Sequence, residues 1–372
     1  MNYKARIEKV RSMFPELGVD AVFITDISRP EQSVPNVQYL TGFTGSNGYI
    51  IITGDTEIFF TDGRYEIQSH QEVKCCEIRI PHGTEKMLDL WKEVVPENSR
   101  LGVIASHMTL ERFEALKSGF AEKNVEVVGL KNFLRNLRQV KDEDEIATIK
   151  HAQEITDRLF DLIVKELVRP GRMTELDLAA EIEYQMKKLG ASGPSFDTIV
   201  ATGAHTALPH AAPRNVVIEN NTPLLIDMGV YFNGYVSDMT RTVWIGNNPD
   251  PEYEKIYHIV LEAQKAAEEG IRPGMTTVEV DKLARDVIAS KGYGDRFIHS
   301  LGHGVGLNIH EAPIVSNRPE TAVEVVENMA FTVEPGIYIE GFGGVRIEDI
   351  VIVRHDGAEI ITASPKDKLL KI

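Results

Sequence analysis

The sequence predicts a mixed α/β protein of two domains, the second an α+β unit built from two similar halves. Three observations predict it. Residues up to about 130 alternate short β-rich runs with amphipathic helical stretches. An Arg-Pro-Gly triplet occurs twice, at Arg169-Pro170-Gly171 and Arg272-Pro273-Gly274, each followed by an amphipathic helix. Each copy then leads to a β-rich stretch carrying two carboxylates.

In the first part, residues 21–25, 48–53, 56–61, 76–80, 100–104 and 125–129 read as strands. Gly54-Asp55 between two of them is a hairpin turn signal. Residues 2–16, 63–72, 84–95 and 108–121 read as helices covering the sheet. The charged segment LRQVKDEDE (137–145) leads into a long helix. Asp142 is its N-cap candidate, and the acidic first turn suits the helix dipole. The domain boundary is placed near residue 135, giving domains of 1–134 and 135–372.

In the second part, Thr174 and Thr277 follow the two Arg-Pro-Gly triplets. Asp227 and Asp238 belong to the first copy, Glu334 and Glu348 to the second. His210 and His310 occupy matching places. The spacing from Arg169 to Asp227 nearly matches that from Arg272 to Glu334. Two halves related by a pseudo-twofold axis are therefore expected, with the carboxylate hairpins facing each other.

Composition bounds the function. The 372 residues are 42% hydrophobic and 26% charged, enough to bury a sizeable core. A net charge of −16 repels phosphate backbones and anionic membranes, so nucleic-acid and membrane roles are not expected. No apolar run is long enough to span a bilayer, and the N-terminal stretch lacks the apolar segment of a signal peptide. The only cysteines, Cys75 and Cys76, are adjacent, which disfavours an ordinary bridge and fits a reducing cytoplasm. One buried and one exposed thiol on a strand is the simplest reading of the pair.

The chemistry lies in three segments. LLIDMGVYFNGYVSDMTRT (224–242) centres on Asn233-Gly234, a type I′ hairpin signal. A two-residue turn sets Phe232 opposite Tyr235 and Asp227 opposite Thr240, with Asp238 diagonal to Asp227 on the same face. Read alone, these acids could be solvated. However, Asp227 ends an apolar run, and a buried carboxylate is costly unless paired or metal-bound. FTVEPGIYIEGFGGVRIEDIVIV (331–353) supplies Glu334 and Glu348. Arg346 shares a strand face with Glu348, which taken alone reads as a structural ion pair. FIHSLGHGVGLNIHEAP (297–313) holds His299, His303 and His310 among glycines that permit close backbone approach. One histidine and four carboxylates are enough for two ions, and their oxygen dominance favours Mn(II) or Co(II) over structural zinc. TGAHTALPHAAP (202–213) adds His205 and His210. Each reads alone as a loop histidine, and His210 gains weight from its repeat position.

These segments, in this order, resemble the pita-bread metallopeptidases: Xaa-Pro aminopeptidase, prolidase (Xaa-Pro dipeptidase), methionine aminopeptidase and the metal-free relative creatinase. The resemblance covers roughly 140–360 and rests on LPHAAP, LLIDMG, SDMTRT, HSLGHGVGLNIHEAP, FTVEPGIY and GGVRIED. It implies that Asp227 and Asp238 hold one divalent ion, that His303 and Glu334 hold another, and that Asp238 and Glu348 bridge. It gives His210, His299, His310 and Arg346 substrate-handling or supporting places, with Glu334 also carrying a proton. An N-terminal domain bearing NVQYLTGFTGSNG and TDGRYEIQ is similar to that of bacterial aminopeptidase P-like proteins, and all five ligand types argue against a creatinase-like enzyme. His205 departs from the family, where Asn is common.

The resemblance further implies a curved antiparallel sheet, a homodimer and peptides with proline in second place as substrates. Two ions would activate a shared water and polarise the scissile carbonyl. Prolidase needs a cation for the free carboxylate after proline, which Arg suits best. Some archaeal prolidases carry Arg where Ile314 stands here. With no evident clamp, Xaa-Pro aminopeptidase activity is expected, with prolidase as the alternative. A non-catalytic scaffold on the same fold remains a further alternative.

Overall fold

The computed structural model describes residues 1–26 and 35–372, which divide into two compact units, Met1–Leu137 and Arg138–Ile372. The first unit is a six-stranded sheet. Its order is Glu77–Arg79, Glu57–Phe60, Tyr49–Thr53, Ala21–Thr25, Arg100–Ile104, Glu126–Leu130. The second and third pairings in this order are antiparallel and the other three parallel. Thr53 N–H donates to Thr56 O across Gly54-Asp55, which closes the expected hairpin. Aromatic and branched side chains on the sheet and its helices, including Phe23, Ile51, Phe60, Trp91 and Phe120, form its core.

Local differences from the sequence reading have local causes. The first helix breaks at Met13 into Tyr3–Ser12 and Phe14–Leu17, because Pro15 is suited only to a helix's first turn. A short helix, Asn36–Thr41, was not foreseen, and it ends at Gly42 in the left-handed region. Cys75 and Cys76 are both half-buried with their sulfurs 3.7 Å apart and unbridged. They sit in a bend before the strand Glu77–Arg79, so strand alternation does not separate them.

In the second unit the repeat holds in three dimensions. Two helices of equal length, Glu143–Leu162 and Pro251–Gly270, open the halves. Asp142 and Glu145 form the capping box of the first. The glycine of each Arg-Pro-Gly turns with positive φ, 72° at Gly171 and 88° at Gly274. Gly171 N–H then donates to Ile218 O and Gly274 N–H to Val325 O, at 2.8 and 2.9 Å. Ile218 N–H returns to Met173 O and Val325 N–H to Met275 O. The helix caps are Thr174 and Thr276. The second lies one residue before the expected Thr277, which is already the first helical residue.

Each half carries its own core and its own sheet. The strands Met239–Ile245, Thr222–Met228 and Ile199–Thr202 pack on the first pair of helices. The strands Gly302–Gly304, Ala330–Val333 and Asp349–Arg354 pack on the second. Among the described residues no helix is long and apolar enough to cross a membrane.

Both acid-bearing hairpins keep a single register. Asp227 lies opposite Thr240 and Phe232 opposite Tyr235, around Asn233 and Gly234 at φ 49° and 84°. Both turn residues are left-handed, as a type I′ turn requires. In the second hairpin, Val333 pairs with Asp349 and Gly336 with Arg346. The ladder is interrupted at Pro335, which has no N–H to give, yet its register runs on. Glu334 and Glu348 therefore fall opposite each other.

Candidate metal centre

The two hairpins and the glycine-rich histidine segment bring the acids together. Asp238 and Glu348 are buried, and each offers an oxygen that lies with a His303 ring nitrogen in a group no more than 4.8 Å across. His303 Nε2 stands 3.5 Å from Asp238 Oδ2 and 3.5 Å from Glu334 Oε1. The other ring nitrogen, Nδ1, is 3.2 Å from Gly304 O, so it carries the proton and leaves Nε2 as the lone-pair side. Glu348 Oε2 accepts from Thr240 Oγ1 at 2.7 Å, and Glu334 Oε1 accepts from Thr332 Oγ1 at 3.2 Å.

Asp227 is placed differently from its neighbours. Its Oδ2 accepts from Arg346 Nη2 at 2.6 Å, while among the described residues its buried Oδ1 has no hydrogen-bond partner. Arg346, the last residue of the strand Gly343–Arg346, thus pairs with Asp227 across the two halves rather than with Glu348 two residues on. The same guanidinium donates to Thr240 Oγ1 and to Tyr338 Oη.

His299 belongs to that network. Its Nδ1 donates to Ser300 O at 2.7 Å, so its Nε2 accepts from the Tyr338 hydroxyl at 2.9 Å. Burial, with the Arg346 charge next, pushes its pKa down to about 4, and it stays neutral. Tyr338 escaped the sequence reading. Its signal was an aromatic residue between glycines: a Cβ on Gly336 or Gly344 would collide with its ring or hydroxyl.

His210 and His310 are exposed at the rim. The His310 ring lies 4.2 Å, centre to centre, from that of His303. Partial desolvation of the inner part of its ring lowers the His310 pKa first, and the charge of His210 lowers it further. His205 instead points into the protein. Its Nδ1 lies 3.1 Å from the carboxylate of Glu175, which is fully buried and also takes Arg214 and two backbone N–H groups. Glu175 gave no sequence signal beyond its place in a helix's first turn.

A divalent cation fits this donor set. The set is oxygen-rich with one imidazole, and it includes an unpartnered buried carboxylate oxygen. Burial first, and the neighbouring acids next, raise Asp238 and Glu348 well above the carboxylate range, and burial raises Glu334 to about 8 against the opposing charge of Arg346. These acids hold protons better in the folded than in the unfolded chain. Their contribution to stability is therefore present at low pH and is lost as pH rises towards 8. Half-buried His303 and His299, lowered to about 3 and about 4 mainly by desolvation, act oppositely, but only below their ordinary 6.5. Chelated protein should accordingly lose thermal stability between about pH 6.5 and 8. Metal-saturated protein should not, because a cation replaces the protons. A flat chelated profile over this window, read by thermal denaturation, would contradict the charge assignment.

Residues 147–355 match the model of metallopeptidase family M24, and residues 6–140 that of the creatinase/prolidase N-terminal domain. The chain belongs to family M24. This M24 peptidase is 39% identical to a Xaa-Pro dipeptidase of Pyrococcus furiosus over 98% of its own length and 100% of the relative's. Among solved structures it resembles a Xaa-Pro dipeptidase from Bacillus anthracis, with TM-score 0.90, 38% identity and full coverage of both chains. It also resembles an X-Pro aminopeptidase from Thermotoga maritima, with TM-score 0.88 and 38% identity over 99% of this chain and 100% of that one. The peptidase therefore has the pita-bread fold, and its family implies divalent ions at the acid-rich centre, where Asp238, His303 and Glu348 form a candidate ligand group.

Proposed function

We propose that this peptidase hydrolyses the bond between an N-terminal residue and proline, with Xaa-Pro dipeptides as its substrates. Two ions, Mn(II) or Co(II), would be held by Asp227, Asp238, His303, Glu334 and Glu348. The observation that carries this reading is the gathering of Asp238, Glu334 and Glu348 around His303, with Asp227 Oδ1 unpartnered among the described residues. Proline specificity rests on the relatives, which include Xaa-Pro dipeptidases at 39% and 36% identity over nearly the whole chain. Those relatives favour the dipeptide over the longer peptides expected from the sequence. A homodimer and a cytoplasmic setting belong to the same proposal.

When bound, the ions would activate a water and polarise the scissile carbonyl. The chain's own residues do the rest. Glu334 takes a proton and returns it to the prolyl nitrogen, which leaves only when protonated. His210 and His310 stand at the rim, where N–H donors can meet the developing oxyanion or the leaving nitrogen. Arg346 holds Asp227 through one nitrogen and Tyr338 through another, which fixes the Asp227 carboxylate in place.

Specific contacts also favour the second reading, aminopeptidase action on longer peptides. Arg214 is engaged by Glu175 and Arg346 by Asp227, and Ile314 is apolar. None of the three offers a substrate carboxylate a cation. Steady-state assays of Ala-Pro against Ala-Pro-Ala decide the question. The proposal expects the higher kcat/KM for the dipeptide by about tenfold or more, the worth of one charge-assisted contact. A faster tripeptide would replace it with the aminopeptidase reading.

A further inference from the structure

The charged segment 137–145 has a use that the metal centre does not absorb. Arg138 and Lys141 both reach Glu311, the residue after His310. Arg138 pairs with Glu311 Oε2 and Lys141 Nζ with Oε1, the latter at 2.7 Å. Side-chain exposures are 6% for Arg138, 0% for Lys141 and 8% for Glu311, so this ionic triad is out of water. Arg138 also donates to Asn308 Oδ1 at 2.7 Å, and Lys141 to Arg138 O at 2.6 Å. The loop is pinned at its start as well: Val236 N–H donates to Gly306 O at 2.9 Å, and Gly306 N–H to Asn308 O at 3.1 Å. Gly306 must lack a side chain here, because a Cβ would overlap the Glu311 carboxylate.

His310 stands between two of these pinned points, Asn308 and Glu311. Among the described residues its ring has no hydrogen bond, and its one ring contact is with His303. A side chain without an orienting hydrogen bond is aimed by its main chain. A buried ionic triad is a poor source of stability, since apolar residues of similar volume usually do as well or better. Its geometric consequence is specific: it fixes the backbone on both sides of one histidine.

We propose that Arg138, Lys141 and Glu311 are positioning residues that act through His310, holding its ring where substrate meets the metal centre. This rests on the substrate-handling reading of His310 given above, and a double-mutant cycle tests the two separately. Full-length protein with Mn(II) is assayed on the faster of Ala-Pro and Ala-Pro-Ala, with metal content and melting temperature measured alongside. Lys141→Met should keep the metal content and leave KM within about twofold, while kcat falls about tenfold or more, because small misplacements cost rate rather than ground-state binding. His310→Ala should lower kcat too, and adding Lys141→Met to it should cost little more, since both act through one ring.

Wild-type kcat in Lys141→Met, loss of metal from it, or losses that multiply in the double variant would each overturn the proposal. An unchanged kcat in His310→Ala would instead overturn the role given to His310. Arg138→Met repeats the test should Lys141→Met not fold. Failure of both to fold would assign the triad to stability and also overturn the proposal.

Discussion

Glu348→Gln should leave a folded protein that no longer retains its metal complement and has lost activity by more than about 100-fold, the upper cost of disturbing even the partners of a ligand. Glutamine keeps the shape of Glu348 and can still accept from Thr240 Oγ1, which lies 2.7 Å from its carboxylate. What it removes is a negative charge from a buried group that includes Asp238 and His303. In the chelated protein that charge is a burden, because burial and neighbouring acids hold the Glu348 pKa well above its ordinary range. The variant's chelated form should therefore melt no lower than chelated wild type at pH 8, and higher if the repulsion is fully expressed. Metal analysis together with thermal melts in EDTA reads both effects. A variant that keeps its metal, or whose chelated form melts well below wild type, would contradict the assigned position of Glu348.

Arg346→Met should have the opposite effect on the same chelated protein. Arg346 is 3% exposed and donates to Asp227, Thr240 and Tyr338 at 2.6, 3.0 and 2.9 Å. Removing one partner of a buried ion pair costs about 3–5 kcal/mol, because the other charge is stranded. At about 2–4 °C per kcal/mol for a domain of this size, the melting temperature should fall on the order of 10 °C. Divalent metal should recover part of that loss, since it restores positive charge beside Asp227. The Tyr338 hydroxyl should also lose the donor that orients it towards His299 Nε2, while the Nδ1–H bond to Ser300 O keeps the His299 tautomer. An unchanged melting temperature in EDTA would mean that Asp227 does not depend on this arginine.

What the sequence determined by itself is local. Asn233-Gly234 dictates a tight turn because only residues tolerant of positive φ fit it. That turn then sets Asp227 opposite Thr240 through strand alternation. Asp142 and Glu145 specify a helix start in four residues, and the two Arg-Pro-Gly triplets mark the repeat. Motif order carried the candidate ligand types, since Asp, His and Glu are the side chains able to bind hard and borderline cations.

Tertiary structure alone decided which charges meet. Arg346 chose Asp227 in the other half over Glu348 two residues along the chain. His205 turned to the buried Glu175, and Arg138 and Lys141 closed on Glu311 from more than a hundred residues away in sequence. Turn stereochemistry and periodicity act over a few residues and are written in them. The partner of a buried charge depends on how two halves pack, where proximity in space, not along the chain, decides which charge relieves which.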